Sequence, residues 1–147
     1  MRPVEASKIT SAIQRMLTAD ARLAAEVDVA RSPLLNEDPS ACPWVGIYRS
    51  NSQFDVRTLG FGAGARYQRT ELILICMVAD SNDPEAAEDA HERLVATVLD
   101  VLFADPTLGG VVRTLNLASI QYQLISTTDD QLMHAAEIHV VVETVTQ

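Results

Sequence analysis

The sequence predicts a single α+β domain, residues 1–147, in which a mixed and mainly antiparallel β-sheet carries two helices packed on one face. Two segments have apolar residues at helical spacing, and most of the remaining chain has the alternation or the apolar runs of β-strands. With 147 residues and 48% hydrophobic composition, the chain can bury one sizeable core. Short connections between these elements allow both helical stripes to face the sheet.

The first helix is predicted over residues 3–17, with its end by Asp20. In residues 23–30, Val27 and Val29 alternate with other residues, which indicates a short strand or a passage from helix to strand. Residues 31–43 contain three prolines and the acidic stretch NEDP, so an exposed loop is expected there. The apolar residues that define the first helix are Val4, Ile9, Ile13, Met16 and Leu17.

Three strands are predicted next, at WVGIY (residues 44–48), FDVRTLGF (residues 54–61) and TELILICMVAD (residues 70–80). The third is apolar without alternation over residues 72–79. Such a run is typical of a strand that is buried on both sides. We therefore expect this strand at the centre of the sheet, with both faces covered.

The second helix is predicted from Pro84 to about Phe103, after a polar cap at residues 81–83. Its charged residues are expected to face water, and His91 is assigned to that polar side. The stripe expected to face the sheet consists of Ala87, Ala90, Leu94, Val98 and Val101 or Leu102.

Two further strands complete the predicted sheet. The first covers residues 111–125, and its apolar phase shifts between Leu117 and Ile120, so a bulge or sharp twist is expected near Ser119. After the polar turn STTDDQ, residues 136–144 alternate between apolar and polar side chains. That alternation predicts an edge or antiparallel strand with one buried face.

Charge and hydropathy narrow the possible functions. Twenty acidic and eleven basic residues give a net charge of -9, which opposes general binding to nucleic acid or to anionic lipid. No stretch approaches the ~20 apolar residues that cross a bilayer, and the first residues lack the apolar core of a signal peptide. We therefore expect a cytoplasmic protein that does not contact membranes, with Cys42 and Cys76 as two reduced thiols.

The segment LGFGAGARYQRT, residues 59–70, contains three closely spaced glycines. Phosphate-binding glycine loops open a helix, whereas the residues that follow here are strand-like, so a nucleotide-binding or small-molecule-binding module is only an alternative. A hairpin loop explains the local pattern, and its aromatic and arginine side chains suggest a surface that meets a partner. The candidate partner or subunit contact loop consists of Gly60, Phe61, Gly62, Ala63, Gly64, Ala65, Arg66, Tyr67 and Arg69.

The titratable residues do not form a catalytic pattern. On a strand, His134 points to the opposite face from Glu137 and His139, so the HAAEIH segment is not expected to bind a metal. Cys76 lies in an apolar run, where desolvation is expected to raise the pKa of its thiol. His91 has no carboxylate or thiol placed to make it a general base. We expect no catalytic residue, cofactor or metal, and therefore no enzyme.

Three segments carry a resemblance to known proteins: PWVGIYRSNSQFDVRTLGFGAGARYQRTELILICMVADS, DPEAAEDAHERLVATVLDVLFAD and AAEIHVVVETVTQ. Together with the N-terminal helix and the proline-rich loop, they resemble the tail terminator proteins of long-tailed bacteriophages, also called tail completion or tail-to-head joining proteins. The resemblance covers nearly the whole chain. It rests on the order of the elements and on the general character of their sequences, and not on an invariant motif.

The resemblance implies a structural virion assembly protein that forms a hexameric ring on the head-proximal end of the tail tube. Its implied partners are copies of itself, the tail-tube protein and a head-connector or neck protein, while DNA passes through the lumen without specific binding. It would act in the host cytoplasm during assembly and end in the virion tail. The glycine loop would contact the tube or a neighbouring subunit, and the hairpin side of the sheet would build the ring. Another neck or tail-tube component is the alternative within this class.

Overall fold

A computed structural model describes residues 4–33, 42–55, 66–79, 83–126 and 131–146 of the chain. In these ranges five strands form a single sheet with the order β1-β2-β3-β5-β4. β1 pairs with β2 in parallel, and the other three pairs are antiparallel. The predicted mixed, mainly antiparallel α+β fold is therefore confirmed. The elements are α1 (Ala6–Ala19), α2 (Ala21–Ala24), β1 (Asp28–Arg31), β2 (Trp44–Asp55), β3 (Arg66–Ala79), α3 (Pro84–Ala104), β4 (Thr114–Ser126) and β5 (Leu132–Thr146).

The two long helices, α1 and α3, lie on one face of the sheet, which we call the inner face. α1 contacts β1 and β2, whereas α3 contacts β3 and β5. Each apolar side chain buried between these layers contributes roughly 1.5–3 kcal/mol, so this core is the main source of stability. Its fully buried members include Ile9, Ile13, Leu17, Val45, Ile47, Leu72, Leu74, Val98, Leu102, Ile138 and Val140.

Both helix boundaries that the sequence predicted for α3 agree with the structure. The Asp83 side chain accepts a hydrogen bond from the backbone N–H of Ala86 (3.2 Å), and Pro84 lies in the first turn. Residues 23–30, predicted as a short strand or a passage from helix to strand, contain the end of α2, a single turn that was not predicted, and most of β1. Arg31, predicted in the following loop, belongs to β1, and residues 34–41 of that loop lie outside the described residues.

β3 occupies the centre of the sheet, as predicted. Leu72, Leu74 and Cys76 point to the inner face and are fully buried. On the outer face, however, Ile73 and Ile75 are only half-buried. The expectation that both faces are covered is therefore wrong for the described residues, because both long helices pack on the same side of the sheet.

β2 is one strand where the sequence predicted two. The polar residues after its first half interrupt the apolar pattern, but pairing with β3 continues through them, with Asn51 opposite Glu71. On the inner side, the hydroxyl groups of Ser52 and Thr70 lie 2.9 Å apart. Cross-strand polar contacts therefore replace apolar burial in this half of the strand. Residues 56–61, the rest of the predicted second strand, lie outside the described residues.

β5 lies between β3 and β4 and pairs with both in antiparallel fashion. Of the two predicted alternatives for this segment, the antiparallel strand is right and the edge strand is wrong. The register between β4 and β5 shifts between Leu117 and Ser119, which confirms the predicted bulge. The additional residue allows Leu115 and Ile120 to face the same side of the sheet.

A buried amide ties the start of the chain to β3. Gln68 is 1% exposed, and its Oε1 accepts a hydrogen bond from the N–H of Val4 (2.8 Å). Its Nε2 donates to the carbonyl oxygen of Val4 (3.0 Å) and lies 3.2 Å from Oγ1 of Thr70. These contacts satisfy a buried polar side chain and fix the segment before α1 over the inner face.

A second, smaller apolar cluster lies on the outer face of the sheet, beside Gly46. A Cβ at Gly46 would lie 2.8 Å from Cζ3 of Trp44 and 2.8 Å from Cε2 of Tyr48. Glycine at this position therefore allows the two rings to approach the strand closely. The buried members of this cluster are Trp44, Met77, Met133 and Ala135.

Candidate assembly interface

β4 forms one edge of the sheet, and in the described part of the chain β5 is its only neighbour. Its sequence, TLNLASIQYQLIS, is 13 residues long and contains no charged residue and no proline. Only Leu115 among its side chains is buried. Edge strands usually carry charges, are short or are covered, because an open edge invites pairing with another chain. Within the described ranges, β4 has none of these protections apart from its bulge, which makes it the candidate interface.

The opposite edge, formed by β1, is protected. This strand has four residues, with the charged Asp28 and Arg31 at its ends. The Nε2 of Gln14 donates to the carbonyl oxygen of Val29 (3.3 Å), and Nη1 of Arg31 donates to Oγ of Ser11 on α1 (2.6 Å). Contacts with side chains of α1 thus help to protect the edge formed by this short strand.

The inner face of β4 exposes three large apolar side chains. Leu117 is 42% exposed, and Tyr122 and Leu124 are each 60% exposed. Strands are about 4.8 Å apart and packed helices about 8–10 Å apart, so two helices cover about four strands. Because α1 lies over β1 and β2 and α3 lies over β3 and β5, α3 only borders the inner face of β4, where the His91 ring lies 6.2 Å from the ring of Tyr122.

A groove runs between β4 and the first half of α3. Glu88 and Glu92 lie one turn apart on α3 and are exposed, so they form an acidic rim. Tyr122 and Leu124 form an apolar wall on the side of β4. The groove therefore combines an apolar surface with two carboxylates, which suits a partner that offers both aliphatic carbon and positive charge.

His91 lies at the base of this groove, and its predicted position on the polar side of the helix is wrong. It follows Ala87 by one turn, which places it in the buried stripe, and it is 3% exposed. Its Nε2 lies 3.0 Å from the carbonyl oxygen of Cys76. Burial lowers the pKa of His91 and nearby His134 acts in the same direction, while the hydrogen bond to Cys76 opposes them. A neutral ring that donates to the Cys76 carbonyl is the form that this environment favours.

The structure separates the predicted contact loop into two parts. Arg66, Tyr67 and Arg69 belong to β3. Tyr67 is 7% exposed; its hydroxyl accepts a hydrogen bond from Nη1 of Arg113 (2.9 Å), whose guanidinium carbon lies 5.5 Å from the ring centroid. Tyr67 thus makes an internal contact, whereas Arg69 is exposed. The remaining members lie outside the described residues: Gly60, Phe61, Gly62, Ala63, Gly64 and Ala65.

The histidines of β5 point to opposite faces, as predicted. On the outer face, Nδ1 of His139 lies 3.2 Å from Oε1 of Glu71, and its Nε2 lies 3.3 Å from Oε2 of Glu137. Each ring nitrogen thus has a carboxylate as its neighbour, while His134 lies on the inner side near His91. Among the described residues, no group of three His, Cys, Asp or Glu residues is arranged to hold a metal ion.

The two cysteines differ as the sequence predicts. Cys76 is fully buried, and this burial raises the pKa of its thiol to about 12. Cys42 is half-buried, and its Sγ lies 3.8 Å from Sδ of Met133. Cys76 therefore acts as an apolar core residue.

The sequence pattern predicted β4 and its bulge, but it did not predict that this strand is an exposed edge. The available signal was the absence of any charge in TLNLASIQYQLIS. A central strand can lack charges for the opposite reason, because it is buried. Only the strand order distinguishes these two cases.

No protein-family model and no curated protein sequence matches the chain. Among solved structures, the chain is similar to a chain in a structure described as "Virion of native gene transfer agent (GTA) particle". The identity is 14%, the TM-score is 0.45, and the match covers 97% of this chain and 99% of that chain. None of the helices in the described ranges is long and apolar enough to cross a membrane.

Proposed function

We propose that the protein is a structural virion assembly protein, a tail terminator that caps the head-proximal end of a phage tail tube as a hexameric ring. In this role it ends tube polymerisation and forms the joint to the head connector. The observation that carries the proposal is β4, a long edge strand that is uncharged and exposed. Such a strand is typical of a subunit whose edge is covered only in an assembly. The resemblance of the sequence to tail terminators supports the same function.

A ring also suits the asymmetry of the sheet. One edge is the open β4, and the other is the short, side-chain-covered β1. Contacts between two unlike surfaces are heterologous, and they close into a ring when the rotation between subunits is right. A subunit with two different edges is therefore better suited to a ring than to a symmetric pair.

The charge of the chain is compatible with a passage for DNA. Each subunit carries a net charge of -9, so a ring of such subunits repels phosphates rather than binding them. DNA would then move through the lumen without being held. This role requires neither a catalytic residue nor a cofactor.

The proposed partners follow from the position of the ring. One rim would meet the tail-tube protein, and the other would meet a connector or neck protein. The segment that joins β2 and β3, with exposed Arg69 at its base, is our proposed contact with the tube or with a neighbouring subunit. Assembly would take place in the host cytoplasm, and the protein would remain in the virion tail.

Negative-stain electron microscopy with light-scattering mass, over a wide range of protein concentration, tests this proposal against its closest alternative. A tail terminator on its own forms six-fold rings or remains monomeric until a tube is present. A tail-tube subunit polymerises on its own into long tubes. Long tubes of the purified protein would therefore contradict the proposal and favour a tube component.

A further inference from the structure

We propose that a second copy of this chain docks beside β4 and places its helix α1 over the inner face of that strand. The inference rests on the proposed function, because it names the contact by which the subunits would form a ring. Shape, charge and apolar surface support this occupant.

The exposed part of the inner face of β4 can accept a helix. α1 and α3 lie mainly over the other four strands, and although Leu115 is buried and His91 of α3 reaches Tyr122, the side chains of Leu117, Tyr122 and Leu124 remain exposed. α1 is 14 residues long, which corresponds to about 21 Å. β4 is 13 residues long, which corresponds to about 44 Å. A neighbouring α1 therefore fits over the exposed part of the strand.

The charges of the two surfaces are complementary. The groove beside β4 has Glu88 and Glu92 on its rim. At the opposite edge of the sheet, Lys8, Arg15 and Arg31 line one shallow depression and are all exposed. Lys8 and Arg15 are two helical turns apart, so both lie on the same exposed side of α1. The basic side of one copy can therefore meet the acidic rim of the next.

The same basic residues can cover the apolar wall of the groove. Lysine and arginine side chains lay their aliphatic stems along apolar surface while their charged ends reach a polar partner. Over β4, these stems would cover Tyr122 and Leu124, which are each 60% exposed in the single chain. A guanidinium such as that of Arg15 also interacts favourably with the face of a tyrosine ring.

The position of the two surfaces makes the contact head-to-tail. Each copy has one acidic groove at the β4 edge and one basic helix surface at the β1 edge. A copy can therefore bind one neighbour on each side, and the series can close into a ring. Pairing of β4 with β4 would instead use the same surface twice and stop at two copies.

Charge reversal on each surface tests this contact. One variant is Glu88→Arg with Glu92→Arg, and the other is Lys8→Glu with Arg15→Glu. We expect each variant alone to self-associate at least about tenfold more weakly than the wild type, because like charges then meet. An equal mixture should recover assembly, since the reversed groove meets the reversed helix and the unchanged surfaces meet each other. Sedimentation velocity with and without tail tubes measures all three samples.

The matched control reverses two exposed acids elsewhere, Glu26→Arg with Asp100→Arg, and should assemble like the wild type. Thermal melting confirms that every variant is folded. Three results would each overturn the inference. They are normal assembly of the Lys8 and Arg15 variant, failure of the folded mixture to recover assembly, and a wild type that never self-associates. Recovery in the mixture without any effect on tube growth would leave the contact standing and contradict the terminator function. If variants that assemble normally still arrest tube growth, the proposed contact is contradicted and the terminator function stands.

Discussion

Cys76 and Cys42 form a matched pair for testing the placement of β3 at the residue scale. Cys76 is fully buried in the core, and Cys42 is half-buried just before β2. Cys76→Ser leaves a hydroxyl in an apolar site, so we expect a loss of about 1–3 kcal/mol in the free energy of unfolding. Cys42→Ser should be nearly neutral. Urea denaturation measures both changes, and equal losses would contradict the buried position of Cys76.

His91 makes the stability of the protein depend on pH. Burial lowers its pKa in the folded chain below the ordinary value of 6.5, so the unfolded chain binds a proton more readily. The contribution of the neutral ring is fully present above about pH 6.5 and is lost as the pH falls through the folded pKa. We therefore expect the free energy of unfolding to decrease from about pH 7 to about pH 5.

The variant His91→Phe isolates this contribution. It keeps a ring beside Tyr122 and removes the proton site, while His134, Glu88 and Glu92 around the groove are unchanged. Urea denaturation at a series of pH values should show a shallower decrease for the variant than for the wild type. Parallel pH profiles for the two proteins would show that the pKa of His91 does not differ between the folded and unfolded chain.

At the scale of elements, β4 gives the most direct test of an assembly surface. Leu124→Lys places a charge on the apolar wall of the groove, and we expect a folded monomer that has lost self-association. Its stability should change by less than about 1 kcal/mol, because Leu124 is 60% exposed. Gln121→Lys adds the same charge to the outer side of the same strand and should assemble normally. Sedimentation velocity with and without tail tubes measures assembly, and melting curves measure stability. Equal assembly of the two variants under conditions in which the wild type assembles would argue against the groove.

The connection between β2 and β3 gives a second test at this scale. Deletion of residues 61–65, with closure by a two-residue turn, should leave the fold intact and abolish assembly, because both strands are already paired up to Asp55 and Tyr67. Circular dichroism reports the fold, and sedimentation reports assembly. A shortened protein that fails to fold would assign the connection a structural role.

The spacing of apolar and polar residues predicted the elements whose pattern has a single local explanation. The stripe of α1, the cap of α3 and the bulge before Ser119 were all available from local spacing. The polar half of β2 was not, because its side chains are satisfied by a neighbouring strand that is distant in sequence. His91 was misplaced for a related reason, since a backbone carbonyl of β3 supplies its hydrogen-bond acceptor. Strand order, and with it the open edge at β4, depends on the whole sheet.

For the whole molecule, the main feature is a five-stranded sheet whose two long helices leave one edge strand exposed. The resulting groove is acidic, and the opposite edge carries exposed basic residues. The terminator hypothesis explains this asymmetry, because a closed ring needs two complementary surfaces on each subunit. The negative net charge suits a ring through which DNA passes.

Growth of tail tubes is the measurement that tests the proposed capping most directly. Tube subunits encoded in the same genome would be polymerised with and without the protein, and tube lengths and ends would be recorded by negative-stain electron microscopy. We predict that the protein forms a six-fold ring at one end of each tube and stops growth there. Tubes that remain bare at both ends and lengthen at the same rate in its presence would contradict the account.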